Sequence, residues 1–94
     1  MAFASSGSTV ARRPRATPGL DVNETEDGLV IYTAANDKVH HLNNTAAVIF
    51  QLCDGSTDES AIVAAVAAAF DLAEPPIEET RSRLAELERE GLIA

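Results

Sequence analysis

The sequence predicts an α+β domain in which a three-stranded antiparallel sheet is followed by three α-helices. Up to Leu42 the sequence contains short segments in which apolar and polar residues alternate or β-branched residues are frequent. Both patterns are typical of strands. From Asn43 onward the apolar residues recur every three or four positions, as in helices. Turn signals at 27–28 and 36–37 divide the first part into three segments. A chain of 94 residues has room for one such domain with one modest core.

Residues 1–19 are predicted to form a disordered N-terminal tail, and residues 20–94 are predicted to form the folded domain. The tail is rich in Ser, Ala, Arg, Thr and Pro, and its only large branched or aromatic residues are Phe3 and Val10. So little apolar surface cannot offset the conformational entropy that is lost on ordering. The tail carries Arg12, Arg13 and Arg15 without any acidic residue, so it holds a charge of +3 and the rest of the chain holds −11.

Three strands are predicted at 20–24, 29–33 and 38–42. Apolar and polar residues alternate in the first, and the second is a run of Leu, Val, Ile, Tyr and Thr, residue types that favour strands. The third reads Lys-Val-His-His-Leu. Because hairpins join the strands in order, the third strand is expected at an edge of the sheet, where unpaired N–H and C=O groups must be covered, blunted or used.

Caps predict where the first two helices begin. Asn43 or Asn44 is expected to cap the first helix, and Ser56 with Glu59 reads as a capping box for the second, with Asp58 as the alternative cap. The predicted apolar stripes of the three helices are Ala46, Ile49, Phe50 and Cys53, then Ile62, Val66 and Phe70, then Ile77, Leu84 and Leu87.

The third helix is predicted from its two ends. Prolines at 75 and 76 suit a helix start, and Glu78 and Glu79 lie in the first turn, where the helix dipole favours acids. Gly91 is expected to end the helix in a left-handed conformation, after which Leu92 and Ile93 fold back onto the core.

A helix-turn-helix beside a small sheet is winged-helix-like, an arrangement common in DNA-binding proteins. The charge argues against that use, because 7 Lys and Arg stand against 15 Asp and Glu, and phosphate backbones and anionic membranes are bound through cations. A DNA-binding transcriptional regulator is therefore the alternative hypothesis only. A single Cys favours a reducing cytoplasm, and the sequence shows neither an export signal nor an apolar run long enough to span a bilayer.

The reactive residues do not form a pattern typical of an enzyme. His40 and His41 are adjacent on a strand and point to opposite faces, so they cannot both ligate one metal. Cys53 is expected to be a small buried hydrophobe. Phosphate-binding loops, Ser-His-Asp sets and metal-ligand spacings are not found in the sequence. We therefore expect no catalysis, no metal and no cofactor, and a cofactor-binding or carrier module is a weaker third hypothesis.

Several motifs carry a resemblance to a known family. The run HLNNTA at 41–46, followed by Ile49, the run LCDG at 52–55, Ile and Val at 62–63, and GLI at 91–93, together resemble the PqqD family. These are peptide-chaperone or precursor-recognition domains in pathways that make ribosomally synthesised, post-translationally modified peptides. The resemblance extends from about His41 to the C-terminus.

The resemblance implies a domain that captures a precursor's leader peptide as an extra β-strand and presents it to a separate modifying enzyme, often a radical SAM protein. It implies that the peptide pairs with the third strand and that the third helix forms the other wall of the groove. The charge and the missing motifs described above predict no nucleic acid, membrane or cofactor, and the open edge allows a monomer or a strand-swapped dimer. The expected peptide-binding residues are Lys38, Val39, His40, His41, Leu42, Thr80, Arg83, Leu84 and Leu87.

Three points stay open at the level of sequence. Lys38 and the two histidines would also serve simply to protect the edge by charge. The pockets for peptide side chains are walled either by Val39 and His41 or by Lys38 and His40, whichever pair faces the third helix. Arg83 is spaced either for an ion pair with Glu79 or for contact with an acidic residue of the leader peptide.

Overall fold

The structure, a computed structural model, describes residues 13–94, and it confirms the α+β arrangement of three strands followed by three helices. The predicted disorder of residues 1–12 lies outside the described residues, and the likeness to a winged helix stays a prediction. The strands are β1 (Asp21–Thr25), β2 (Gly28–Thr33) and β3 (Lys38–Asn43), and the helices are α1 (Asn44–Leu52), α2 (Glu59–Ala69) and α3 (Ile77–Arg89).

The sheet has the order β1-β2-β3, and both pairings are antiparallel, so β2 is central and β3 lies at an edge. Leu29 pairs with Leu42 and Ile31 pairs with His40. Because Leu29 and Ile31 are buried in the core, their partners on β3 share the face that is turned toward the helices. The open question about β3 is thereby answered: Lys38, His40 and Leu42 face the helices, while Val39 and His41 lie on the opposite face.

The tight start of β2 depends on Gly28. Its φ is +149°, and a Cβ atom at this position would collide with the carbonyl oxygen of Leu42 on the neighbouring strand. Only glycine fits both the backbone angle and the close approach. This residue therefore fixes how closely β2 and β3 approach each other where β3 leads into α1.

Two side chains cap the first two helices. The Ala46 amide donates to Asn43 Oδ1 at 2.9 Å, as the sequence predicts. The Ala61 amide donates to Asp58 Oδ1 at 2.8 Å, so Asp58 is the cap of α2 and the capping box of Ser56 with Glu59 is wrong. The physical reason is that Ser56 is already engaged, because its amide and its hydroxyl both donate to Asp54 Oδ1.

One cluster of apolar side chains fills the space between the sheet and the helices. Thr80 is fully buried on α3 with Leu84 and Leu87, whereas Ile77 is half exposed, so its place in the predicted stripe is wrong. Phe70 lies beyond the end of α2 and is also exposed. The core cluster contains Leu29, Ile31, Ala47, Ile49, Phe50, Cys53, Ile62, Val66, Leu84, Leu87, Leu92 and Ile93.

The segment at 14–17 belongs to the fold, which corrects the predicted disorder of this part of the tail. Arg15 and Ala94 exchange backbone hydrogen bonds, at 3.2 Å from Arg15 N to Ala94 O and at 2.9 Å from Ala94 N to Arg15 O. The Thr17 amide donates to the Leu92 carbonyl at 2.9 Å, and Pro14 is fully buried. Composition misses this segment because backbone pairing with the C-terminal residues, rather than apolar side chains, holds most of it in place.

Candidate functional site

A cleft of about 430 Å³ lies between the edge strand β3 and the C-terminal half of α3. β3 pairs with β2 on one side only, so alternate N–H and C=O groups on its other side are turned toward this cleft. The residues that line the cleft are Val39, His40, His41, Leu42, Asn43, Ala46, Arg83, Glu86, Leu87, Arg89, Glu90 and Leu92.

The strand and the helix that form the cleft walls are separated along their whole length. Within the described chain, no Cα atom of β3 lies within 8 Å of a Cα atom of α3. Strands in a sheet are about 4.8 Å apart. The backbone of α3 is therefore not in strand-like proximity to β3, and the cleft of about 430 Å³ lies between them.

One side-chain contact crosses this gap. His40 Nδ1 lies 3.0 Å from Glu90 Oε1, where Glu90 is the residue that ends α3. The His40 side chain is only 10% exposed, and its Nε2 is buried without a hydrogen-bond partner. Leaving a buried polar atom unpaired costs about 1–3 kcal/mol. His40 thus brings to the cleft a buried nitrogen that lacks a hydrogen-bond partner.

Arg83 presents a guanidinium at the same cleft. Its Nη1 lies 3.3 Å from Glu86 Oε1 and its Nη2 lies 4.0 Å from Glu79 Oε2, while its Nε is buried without a partner. Both acids lie on α3 itself, so they hold the guanidinium along the helix surface. Since such partly exposed pairs are worth about 0–1 kcal/mol, an incoming carboxylate can compete for Arg83.

The structure brings together six of the nine residues expected from the sequence. Val39, His40, His41, Leu42, Arg83 and Leu87 all line the cleft. Thr80 and Leu84 do not, because both are fully buried in the interior, and Lys38 lies at the start of β3 outside the lining. The predicted placement of Thr80 and Leu84 at the groove is wrong because the face of α3 that carries them packs on the core. The role of Lys38, which is exposed on the edge strand, stays a prediction.

Sequence reasoning missed about half of the lining. The missed residues are Asn43, Ala46, Glu86, Arg89, Glu90 and Leu92. A signal for part of this set was present, since Arg83, Glu86 and Glu90 recur at three and four positions and so share one side of a helix. The sequence predicts Asn43 as a cap of the first helix and Ala46 as part of its apolar stripe, and both reach the cleft because β3 runs directly into that helix.

The cleft lining combines basic and acidic side chains. The two arginines of the lining, Arg83 and Arg89, stand among Glu86 and Glu90, and both histidines of the chain are also present. The formal net charge of the chain is −8. A ligand with an acidic group would therefore meet Arg83 and Arg89 here, two of the seven Lys and Arg residues of the chain, and would compete with Glu86 and Glu90 for them.

Other reactive residues are accounted for structurally. The Cys53 thiol is buried and donates to the Ile49 carbonyl at 3.2 Å. The Ser56 amide, the Thr57 hydroxyl and further donors bind the Asp54 carboxylate and hold its pKa below the ordinary value of 3.8. Within residues 13–94, His, Cys, Asp and Glu form no group of three suited to a metal ion, and no helix there is long and apolar enough to cross a membrane.

β3 is an open edge strand, and it faces α3 across a cleft. This arrangement places the chain in the class of small α+β binding domains. The comparisons with known proteins specify the class further. The family model described as coenzyme PQQ synthesis protein D (PqqD) matches residues 28–93, which include β2, β3, all three helices and the whole cleft lining. The chain therefore belongs to the PqqD family, whose members are accessory proteins of coenzyme PQQ synthesis. No curated protein and no solved structure matches the chain.

Proposed function

We propose that this protein binds the leader region of a ribosomally synthesised precursor peptide by strand addition to β3 and presents it to a separate modifying enzyme, of the radical SAM class. It does so without catalysis of its own, without a cofactor and in the cytoplasm. The observation that carries the proposal is the open edge of β3, which faces α3 across a cleft of about 430 Å³. Membership of the PqqD family supports the same reading.

Backbone pairing supplies affinity with little sequence selectivity. A peptide strand beside β3 would satisfy the outward N–H and C=O groups of that strand, and each such hydrogen bond contributes about 0.5–1.5 kcal/mol net. Leu42 offers partly exposed apolar surface within the cleft, and the buried side chains of Leu87 and Leu92 lie next to it. One or two apolar anchors of the peptide would add about 1.5–3 kcal/mol each, which gives a Kd of micromolar order after association costs.

Charge supplies selectivity at one end of the cleft. An acidic residue of the peptide would take the place of Glu86 beside Arg83. The buried Nε of Arg83 has no hydrogen-bond partner, so no hydrogen bond of that atom would be broken. Hydrogen bonds to charged groups are worth about 1.5–3 kcal/mol, and competition with Glu86 reduces the net gain toward the lower value. We therefore assign Arg83 to contact with the peptide rather than only to the pair with Glu79.

DNA binding gains no support from the described helices. α2 carries neither Lys nor Arg, and α3 carries Arg81, Arg83 and Arg89 against four glutamates. A helix of this charge would be repelled by phosphates, whose neutralisation by cations dominates DNA affinity.

The test is a titration of the isotope-labelled protein with the leader segment of a precursor encoded beside it, followed by NMR. We expect amide shifts in β3 and along the cleft-facing side of α3. Arg83→Ala should raise Kd about tenfold, a change of about 1.4 kcal/mol. The matched control is Arg81→Ala, because Arg81 lies on the same helix but pairs with Glu59 away from the cleft and should change Kd by less than about twofold. Equal effects of the two substitutions, or shifts absent from β3 at saturating peptide, would refute the binding mode.

A further inference from the structure

Three large apolar side chains are exposed where α2 connects to α3. Phe70, Leu72 and Ile77 are 37%, 44% and 50% exposed, and they are half of the six large apolar residues that are exposed in the described chain. They border two shallow cavities of about 380 and 210 Å³. Pro75 lines the first cavity and its neighbour in the sequence, Pro76, lines the second. We call the surface formed by Phe70, Leu72, Pro75, Pro76 and Ile77 the connection face.

The edge of the connection face is negatively charged. Asp71, Glu74, Glu78 and Glu79 are all exposed within or next to it. Residues 39–80 contain no Lys or Arg, and the nearest cation, Arg81, is paired with Glu59 at 3.1 Å. Exposed apolar patches that are surrounded by polar residues mark interaction sites. The charge around this one is mainly negative, with Arg81 in the lining of the first cavity and Arg83 4.0 Å from Glu79.

The sign of the charge selects the occupant. A second copy of this chain would bring the same acids against themselves in a symmetric contact, and an anionic lipid or nucleic acid would also be repelled. We propose that the connection face docks a second protein whose contact surface presents apolar side chains surrounded by Lys and Arg. Complementary charge of this kind guides association and fixes orientation, while the apolar centre supplies affinity.

The connection face and the cleft can be occupied at the same time. Ile77 begins α3, whereas the part of α3 that lines the cleft starts at Arg83 and ends at the C-cap Glu90. At about 1.5 Å per residue these positions lie about 9 and about 20 Å from Ile77 along the helix axis. The inference rests on the proposed function in one respect, since the modifying enzyme that receives the peptide is the partner that would carry such a surface. The proposed binding of an apolar surface surrounded by Lys and Arg depends only on the residues of the connection face and the acids around it.

The probes that test this chemistry are two synthetic amphipathic helical peptides with the same Leu face, one with Lys and one with Glu at the remaining positions. We expect the Lys peptide to shift the amides of Val63, Leu72 and Ile77 in NMR spectra and to bind at least tenfold more tightly than the Glu peptide. Its affinity should fall as salt is raised. Absence of binding, or shifts confined to the cleft, would overturn the proposal.

Variants separate a specific site from general charge attraction. Joint Leu72→Ser and Ile77→Ser substitution should weaken binding of the Lys peptide at least tenfold, whereas Val22→Ser, which alters an equally exposed apolar residue on β1, should leave it unchanged. Joint Glu74→Lys and Glu78→Lys substitution should reverse the preference toward the Glu peptide. Equal binding by the serine variants and the native chain would refute the site.

The same samples distinguish this inference from the proposed function. All substituted residues are exposed, so thermal melting should confirm that each variant remains folded. Leader-peptide binding at the cleft should be unchanged in the serine variant. Loss of docking with intact leader binding would separate the two surfaces, and loss of leader binding in the native chain would count against the proposed function alone.

Discussion

Gly28→Ala should be among the most damaging single substitutions in this domain. The added Cβ would collide with the carbonyl oxygen of Leu42, which is backbone and cannot turn away, and the φ of +149° is a conformation that alanine rarely adopts. Backbone strain of this kind costs about 1–3 kcal/mol, and overpacking against fixed atoms adds about 1–3 kcal/mol more. We expect a loss of about 3–4 kcal/mol in the free energy of unfolding, a large fraction of the stability of a small domain.

Denaturant unfolding followed by circular dichroism measures this loss, and Gly91→Ala is the matched control. Gly91 also has a positive φ, +78°, but a Cβ there would have nothing within 4 Å. Its substitution should therefore cost only the backbone strain, about 1 kcal/mol. If Gly28→Ala were no more destabilising than Gly91→Ala, the close approach of β2 to β3 would not be the reason for glycine at position 28.

Three further substitutions test other parts of the fold. Thr80→Val should leave the free energy of unfolding unchanged or raise it by about 1 kcal/mol, because the buried Thr80 hydroxyl has no hydrogen-bond partner to lose; a clear loss in thermal melting would contradict this. Asp54→Asn should destabilise the domain at neutral pH, since folding lowers the pKa of this carboxyl. The difference from the native chain should begin to shrink as the pH falls below about 3.8, where the unfolded state takes up the proton, and should vanish only below the lower pKa of the folded state; a constant difference in pH-dependent melts would refute the cause. Deleting residues 1–17 should lower Tm more than deleting residues 1–12, because the five backbone hydrogen bonds of the segment at 14–17 are lost; equal melting temperatures would show that this segment does not stabilise the domain.

Local signals predict the elements well because the groups that decide them are close in sequence. Asn43 caps α1 because its side chain reaches the amide of Ala46, three residues away. The choice between Ser56 and Asp58 at the start of α2 was open for a related reason. It depends on Asp54, whose carboxylate captures Ser56, and pattern alone does not rank that contact against a capping box.

The candidate site was harder to predict because it depends on how α3 is rotated against its neighbours. A helical stripe shows which residues share a face, but it does not show which face meets the core and which meets the cleft. Thr80 and Leu84 therefore fall inside the fold, and Arg83 and Glu90 reach the cleft. The ordered segment at 14–17 was missed on similar grounds, since its partners, including Leu92 and Ala94, are at the other end of the chain.

The rotation of α3 also explains how so small a domain can offer two surfaces. Thr80, Leu84 and Leu87 anchor one side of the helix in the core, so the side that carries Arg83 and Glu86 is left free to form the wall of the cleft. The anchoring begins only at Thr80, so the first turn of the helix, where Ile77 lies, stays exposed. Substitutions on α3 should accordingly affect stability, peptide binding or docking according to their position on the helix.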